Sequence, residues 1–337
     1  MPALLVSPKI ASEYADAIAA AWPGIELVVL PEDPAERLPP EALERIDFAY
    51  FSGDIYSVYS RSFFAAAQGA PNLRWLHTFN AGVDNPVFQR FLDRGVRLST
   101  SSGSTAQPIA QSVIGGMLLL ARPFLHWLDA QRRRAWEPVG GEATPPDLAG
   151  QRMTVVGLGA IGSEVARLAR AFGLEVVGVR RSPRREGDPV DVVVPPSQLA
   201  DLAARTDWLV LACPLTPETR GLISRDVLRA LKPGAFVLNV ARGEVADEAA
   251  LIEALRDGHL GGAYLDVFAT EPLPPESPLW DLPNVIISPH NSAAAQGNER
   301  RATEGYFLPN LRRMARGEPL VNAVSVAGAG NAEGRRQ

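Results

Sequence analysis

Among 337 residues there is one cysteine, Cys213. An intrachain disulfide is therefore impossible, and a cysteine-built zinc site would lack its ligands. No metal site is expected, and a reducing cytoplasm suits such a chain. Lysine is almost as scarce: Lys9 and Lys232 are the only two, and all other basic side chains apart from four histidines are arginines. A single arginine is correspondingly weaker as a functional signal. Positive charge is not in excess, with 33 Lys and Arg against 38 Asp and Glu for a net charge of −5. No global basic field is present to draw nucleic acid or anionic lipid. A membrane-spanning helix needs about 20 apolar residues, and the greasiest stretch, 113–121, stops far short. The first six residues carry no basic run ahead of their apolar ones, so they read as a strand and not as a secretory signal.

What is present is a globular balance, 46% hydrophobic and 21% charged. The length favours two domains at roughly 100–200 residues each. Short apolar runs alternate with amphipathic stretches, the pattern of βα units around parallel sheets. The spacing predicts strands at 3–7, 26–30, 48–52, 74–79 and 96–99, with helices at 12–21, 61–68 and 86–94 between them. A long helical pattern follows over 106–128, with Pro123 as a kink or boundary. A second series of strands is predicted at 153–157, 175–179, 208–212, 235–239, 263–266 and 285–288, ending in a helix over 293–315. The Gly-, Ala- and Arg-rich residues 327–337 read as a disordered tail.

The most informative turn is Gly157-Leu158-Gly159-Ala160-Ile161-Gly162. It lies between a predicted strand and a predicted helix, inside a unit of about 30 residues, which is the context a dinucleotide-binding turn requires. Gly157 allows the tight turn, Gly159 lets a pyrophosphate approach the backbone, and Gly162 lets helix and strand pack closely. The helix start supplies unpaired N–H groups to the phosphates. An NAD-binding unit places an acid about 20 residues on, for the ribose 2′-hydroxyl. This chain has Arg180, Arg181 and Ser182 there. Guanidiniums suit a 2′-phosphate, so NADP is the expected cofactor, with NAD as the lesser one.

Three segments at predicted strand ends carry chemistry: Asn239 to Glu244, Leu265 to Pro272, and Ser288 to Ser292. Ligands of open α/β sheets bind beyond the carboxyl ends of strands, so these loops should converge. Reduction of a carbonyl needs a proton donor near the forming alkoxide, and His290 is suited to it. Glu271 beside it would favour imidazolium and fix the ring. Arg242 would hold a substrate carboxylate and polarise the carbonyl with a charge that does not deprotonate. His77, His126 and His259 lack such a context and read as structural, and Cys213 reads as packing.

Taken in order, Ala81-Gly82-Val83-Asp84, the glycine turn, Pro214-Leu215-Thr216-Pro217-Glu218-Thr219, Val240-Ala241-Arg242-Gly243, Asp266-Val267-Phe268 with Glu271-Pro272, and Pro289-His290 resemble the D-isomer-specific 2-hydroxyacid dehydrogenase family over about residues 46–324. The resemblance implies a Rossmann-type doubly wound cofactor domain over 102–289 and a smaller flavodoxin-like α/β substrate domain from 1–101 and 290–326, with the active site in a closing cleft. It implies Arg242, Glu271 and His290 as the catalytic three, with Ala81 and Gly82 joining Arg242 and His290 in binding substrate. Cofactor contacts fall on Gly157, Gly159, Ala160, Ile161, Gly162, Pro214, Thr219, Val240, Ala241 and Asp266, the last at the nicotinamide amide. It further implies a homodimer, with the helix from Ala106 as a candidate interface, and glyoxylate or hydroxypyruvate as substrate. Phosphite oxidation and a nucleotide-sensing corepressor or scaffold are the alternative readings. The chain departs from the pattern at Gln111, where many members carry an acid, and at Asn291-Ser292-Ala293, where many have a glycine-rich stretch.

Overall fold

The computed structural model describes residues 1–83 and 85–324. The tail at 327–337 and the last residue of the Ala81–Asp84 segment lie outside the described residues. The described residues divide into two compact units, 1–105 with 295–324, and 106–294.

The first unit is built on five parallel strands: β1 (Ala3–Val6), β2 (Glu26–Val29), β3 (Phe48–Phe51), β4 (Trp75–Thr78) and β5 (Arg97–Thr100). Their order, β2-β1-β3-β4-β5, is the flavodoxin-like one. β1 is apolar throughout because helices cover both faces of the sheet. Its Ala3 and Leu5 enter one core and its Leu4 and Val6 the other. The first helix, Pro8–Ala21, starts where Ser7 Oγ accepts the Ile10 N–H and Pro8 fills the first turn.

The end of the described chain returns to this unit. The helix expected over 293–315 begins at Asn298, because Gly297 adopts a left-handed φ of 80° just before it. It widens to a π-helical turn at Thr303–Phe307 and resumes as Leu308–Ala315. Phe307 stacks on Tyr50 at 3.9 Å, and the Tyr50 hydroxyl lies 2.9 Å from Thr303 Oγ1.

The second unit opens with the helix Ala106–Ala121. Pro123 ends it, since proline lacks an N–H and disfavours helix in the residue before it. The next helix, Phe124–Arg133, leaves at 70°. No single helix among the described residues is long and apolar enough to cross a membrane.

The sheet has seven parallel strands: β6 (Arg152–Val156), β7 (Glu175–Val179), β8 (Val192–Val194), β9 (Trp208–Leu211), β10 (Ala235–Asn239), β11 (Leu260–Leu265) and β12 (Val285–Ile287). The order β12-β11-β10-β9-β6-β7-β8 is doubly wound, with its switch point between β6 and β9. Leu209 and Leu211 pack on one face, Trp208 and Val210 on the other. Gly116 is where the first helix meets the sheet, since a Cβ there would lie 2.6 Å from Tyr264 Cγ. β8 had no expectation behind it: three valines between Asp191 and Pro195, with Val192 exposed at the edge, give too short a signal.

Candidate active site

The sheet order sets the site. Reading along the carboxyl edge from β12 to β7, neighbouring strands deliver His290, then Asp266 and Glu271, then Arg242, then Pro214, then the glycine turn, then Arg180 to Ser182. Adjacent strands lie about 4.8 Å apart. One edge thus carries the acid–base residues at one end and the arginines at the other.

The glycine turn leaves β6 at Gly157, whose φ is 96°. A Cβ there would sit 2.7 Å from the Ala212 carbonyl, and one on Gly162 would sit 1.9 Å from the Gly157 carbonyl. Both positions exclude every side chain. Gly159 differs: a Cβ on it would meet nothing within 4 Å. It caps the helix Ala160–Ala171 without a side-chain hydrogen bond, and the first helical bond runs from Ser163 N to Gly159 O. The N–H groups of Ala160, Ile161 and Gly162 therefore have no acceptor within the helix. Open space over a bare helix start fits a pyrophosphate. The residues present fit the dinucleotide that the turn implies.

After β7 the arginines part company. Arg180 forms a two-pronged ion pair with Asp188 (Nη1 to Oδ1 3.1 Å, Nη2 to Oδ2 2.6 Å) and donates to the Ser182 and Pro183 carbonyls. Arg181 is exposed and makes no hydrogen bond or ion pair among the described residues, and Ser182 is half-buried. Below them, Thr219 Oγ1 donates to the Pro214 carbonyl at 2.7 Å and shapes the loop after β9. Cys213, buried beside it, has its thiol pushed up to about 11 by burial, so it stays protonated and packs.

Beyond β10, Val240 and Ala241 are buried, and Asn239 Oδ1 accepts the Ala241 N–H at 3.0 Å while its Nδ2 donates to the Arg242 carbonyl at 3.1 Å. Arg242 Nη1 donates to the Ala241 carbonyl at 2.7 Å. The next residue is decisive. A Cβ on Gly243 would lie 1.9 Å from the Phe268 carbonyl carbon and 2.2 Å from Ala269 N. The Arg242 turn thus rests directly on the backbone that leads to Glu271.

Glu271 uses both oxygens. Oε1 accepts the Phe268 N–H at 3.0 Å, and Oε2 meets His290 Nδ1 at 2.7 Å. His290 is held in a left-handed conformation, φ 50°, which is uncommon outside glycine. Asp266 holds that turn. Its Oδ1 accepts from Ser288 Oγ at 2.5 Å, Asn291 N at 2.9 Å and Ser292 N at 3.0 Å, and its Oδ2 accepts from Ser292 Oγ. Its own carbonyl accepts the His290 N–H at 2.8 Å. Asp266 therefore does work beyond the nicotinamide contact expected of it. Ser288 and Ser292 bound the segment singled out in the sequence, two residues to either side of His290, but carried no assigned role there. The Glu271–His290 pair also walls a pocket of about 430 Å³ with Phe268, Leu273, Trp280 and Ile287.

Ala81 and Gly82 lie in the first unit, exposed and half-buried respectively. Tyr56 and Asn80 line a separate pocket of about 550 Å³ there, floored by Phe51, Phe64 and Phe88. No group of three or more His, Cys, Asp or Glu side chains suited to a metal occurs among the described residues.

A doubly wound parallel sheet with a glycine turn at its switch point, and an imidazole backed by a carboxylate at the same edge, defines a nicotinamide-dinucleotide oxidoreductase. The comparisons name the family. A family model described as "D-isomer specific 2-hydroxyacid dehydrogenase, NAD binding domain" matches residues 114–292. A glyoxylate reductase of Korarchaeum cryptofilum is 32% identical over 77% of this chain and 78% of its own. A D-isomer specific 2-hydroxyacid dehydrogenase of Xanthobacter autotrophicus Py2, solved with NADPH and MES, is 34% identical, with a TM-score of 0.76 over 96% of this chain and 98% of its own. An NADPH-dependent glyoxylate/hydroxypyruvate reductase of Sinorhizobium meliloti, solved with NADP and sulfate, is 29% identical, with a TM-score of 0.74 over 96% and 98% of the two chains. The chain belongs to the D-isomer specific 2-hydroxyacid dehydrogenase family and is an NAD(P)-dependent oxidoreductase.

Proposed function

We propose that this protein reduces small 2-oxo acids, glyoxylate and hydroxypyruvate first among them, to D-2-hydroxy acids with NADPH as the preferred reductant. The observation that carries the reading is the 2.7 Å contact between Glu271 and His290 on strand ends next to Arg242. A dinucleotide held at the glycine turn would supply the hydride for the carbonyl carbon of the substrate. As that C–H bond forms, the carbonyl π pair moves onto oxygen, and His290 gives that oxygen a proton from Nε2. Glu271 accepts from Nδ1, which leaves Nε2 for the substrate and stabilises imidazolium until the proton departs. Arg242 holds the substrate carboxylate and draws charge onto the carbonyl oxygen with a guanidinium that stays protonated. Ala81 and Gly82 are assigned the rest of the carboxylate through their backbone N–H groups, and Asp266 the nicotinamide amide, both on the family's pattern.

Three observations support NADPH. Directly after β7, where an NAD-binding unit places an acid, this chain has Arg180, Arg181 and Ser182. Arg181 makes no hydrogen bond or ion pair among the described residues and only attracts Glu218 through its charge. Two solved relatives were captured with NADPH or NADP. The test is oxidation of NADPH and NADH by the purified protein with glyoxylate, hydroxypyruvate, phenylpyruvate and pyruvate, and reduction of NADP with phosphite. The reading expects the first two acids with NADPH to give the highest kcat/KM. Turnover of phosphite alone, or of no 2-oxo acid, would reject it.

A homodimer is part of the same reading. The helix Ala106–Ala121, the expected interface, is largely buried within its own unit. The exposed apolar side chains follow it, on Phe124, Trp127, Leu128 and Trp136.

A further inference from the structure

Residues 180–190 leave β7 as an irregular segment with an unusual internal tie. Arg180 and Asp188 face each other with side chains only 13% and 10% exposed. Three further hydrogen bonds converge on the pair, and a fourth ties the end of the segment. Arg180 Nε donates to the Ser182 carbonyl at 3.2 Å and Nη2 to the Pro183 carbonyl at 2.6 Å. Asp188 Oδ2 accepts the Arg185 N–H at 2.6 Å, and Arg184 Nη2 donates to the Val190 carbonyl at 3.3 Å. Arg180 and Asp188 hold the segment at its start and middle, and the Arg180 guanidinium, then the Arg185 N–H, hold the Asp188 carboxyl below the usual carboxylate range. Val190, fully buried, anchors the far end in the core. Between these fixed points lie Arg181 and Ser182, which the NADPH reading assigns to the 2′-phosphate.

We propose that Arg180 and Asp188 are positioning residues for cofactor choice. They fold the segment before the cofactor arrives, so that Arg181 and Ser182 meet the 2′-phosphate without first having to be ordered. Arg180 does not bind the phosphate, because four of its five N–H donors are already engaged. Preorganisation raises affinity by removing the ordering cost from the binding step. The gain falls mainly on NADPH, since NADH offers this segment only an uncharged 2′-hydroxyl where NADPH carries a phosphate. The inference rests on the NADPH reading and sharpens it.

The alternative, in which Arg180 leaves Asp188 to grip the phosphate, predicts the opposite sign. Asp188 would then compete with the phosphate for the guanidinium, and neutralising it would tighten NADPH. Dissociation constants for NADPH, NADH and the fragment 2′,5′-ADP, measured by fluorescence titration of the unmodified protein and of Asp188→Asn, Arg180→Met and Asp188→Glu, separate the two. Asp188→Asn and Arg180→Met are each expected to weaken NADPH and 2′,5′-ADP by roughly tenfold while NADH stays within about twofold. The double variant should be no weaker than either single one, because the two act as a unit. Asp188→Glu should recover part of the loss. Tighter NADPH binding by Asp188→Asn, equal losses for both cofactors, or no loss for either would overturn the proposal. The unmodified protein is read first. If it binds NADH more tightly than NADPH, the NADPH reading fails and this inference with it. If it prefers NADPH and the variants keep that preference, only the role of the pair fails.

Discussion

His290 is assigned two tasks, and each needs a neighbour. Its proton-donor role needs Glu271 on Nδ1, and its left-handed backbone needs Asp266 and two serines. His290→Ala should lower kcat by about 10²–10⁴-fold, the range for a lost general acid, and leave the dissociation constant of NADPH within about twofold. Steady-state kinetics with a nucleotide titration checks this, and near-full kcat would remove His290 from the chemistry. His77 is the contrasting case. It is fully buried in the first unit, with Nδ1 2.7 Å from Ser99 Oγ and Nε2 3.0 Å from Ser101 Oγ. Burial lowers its pKa to about 3 from 6.5. The folded state therefore resists protonation that the unfolded chain accepts, so the stability tied to His77 is intact above pH 6.5 and drains away as pH falls toward 3. At about 1.4 kcal/mol per pH unit, the drop between pH 7 and 5 is about 2 kcal/mol. Urea unfolding at the two pH values should show that extra loss in the unmodified protein and its absence in His77→Gln. Parallel losses would mean that His77 does not titrate on unfolding.

At the level of elements, what could be read from the chain depended on how local the cause was. Gly157 and Gly162 were legible because a sharp turn and a close approach are set within six residues. Arg242, Glu271 and His290 were legible as types and as an order, and parallel strands carry them to one edge. The fate of Arg180 was not legible, because its partner Asp188 depends on how the intervening residues fold back. The start of the last helix was misplaced by five residues, since Ala293 to Gln296 are compatible with helix and only the left-handed Gly297 stops it. Gly243 was quoted in a motif with no task attached, and its task is visible only when the turns after β10 and β11 touch. Gly243→Ala would force those turns apart, at a cost of about 1–3 kcal/mol if the backbone shifts to relieve the overlap. The expected outcome is a fall in kcat of roughly tenfold or more, because a misplaced guanidinium costs that much in alignment, with a lower melting temperature. Full activity in that variant would show that the spacing of the two turns is not critical.

Across the whole molecule, the same βα logic is used twice, and each sheet hides its apolar strands under helices on both faces. The exception is the stretch from Phe124 to Trp136. Phe124, Trp127 and Leu128 are each more than two-fifths exposed and Trp136 is 97% exposed, and the two tryptophans line a hollow of about 390 Å³. Clustered large apolar side chains of this kind mark a surface that meets another protein. The preceding helix buries Ala110, Val113 and Met117 within its own unit and leaves Leu118, Leu119 and Leu120 half-buried. If two copies pair through the 124–136 stretch, light scattering should give twice the 36.2 kDa chain mass. Trp127→Glu with Trp136→Glu should bring that down to a single chain, because a carboxylate without a partner is costly to bury at an interface. The far-UV circular dichroism should not change, since both side chains stand outside the cores. A single-chain mass for the unmodified protein would dismiss the dimer, and a dimer that survives both substitutions would move the interface to another face.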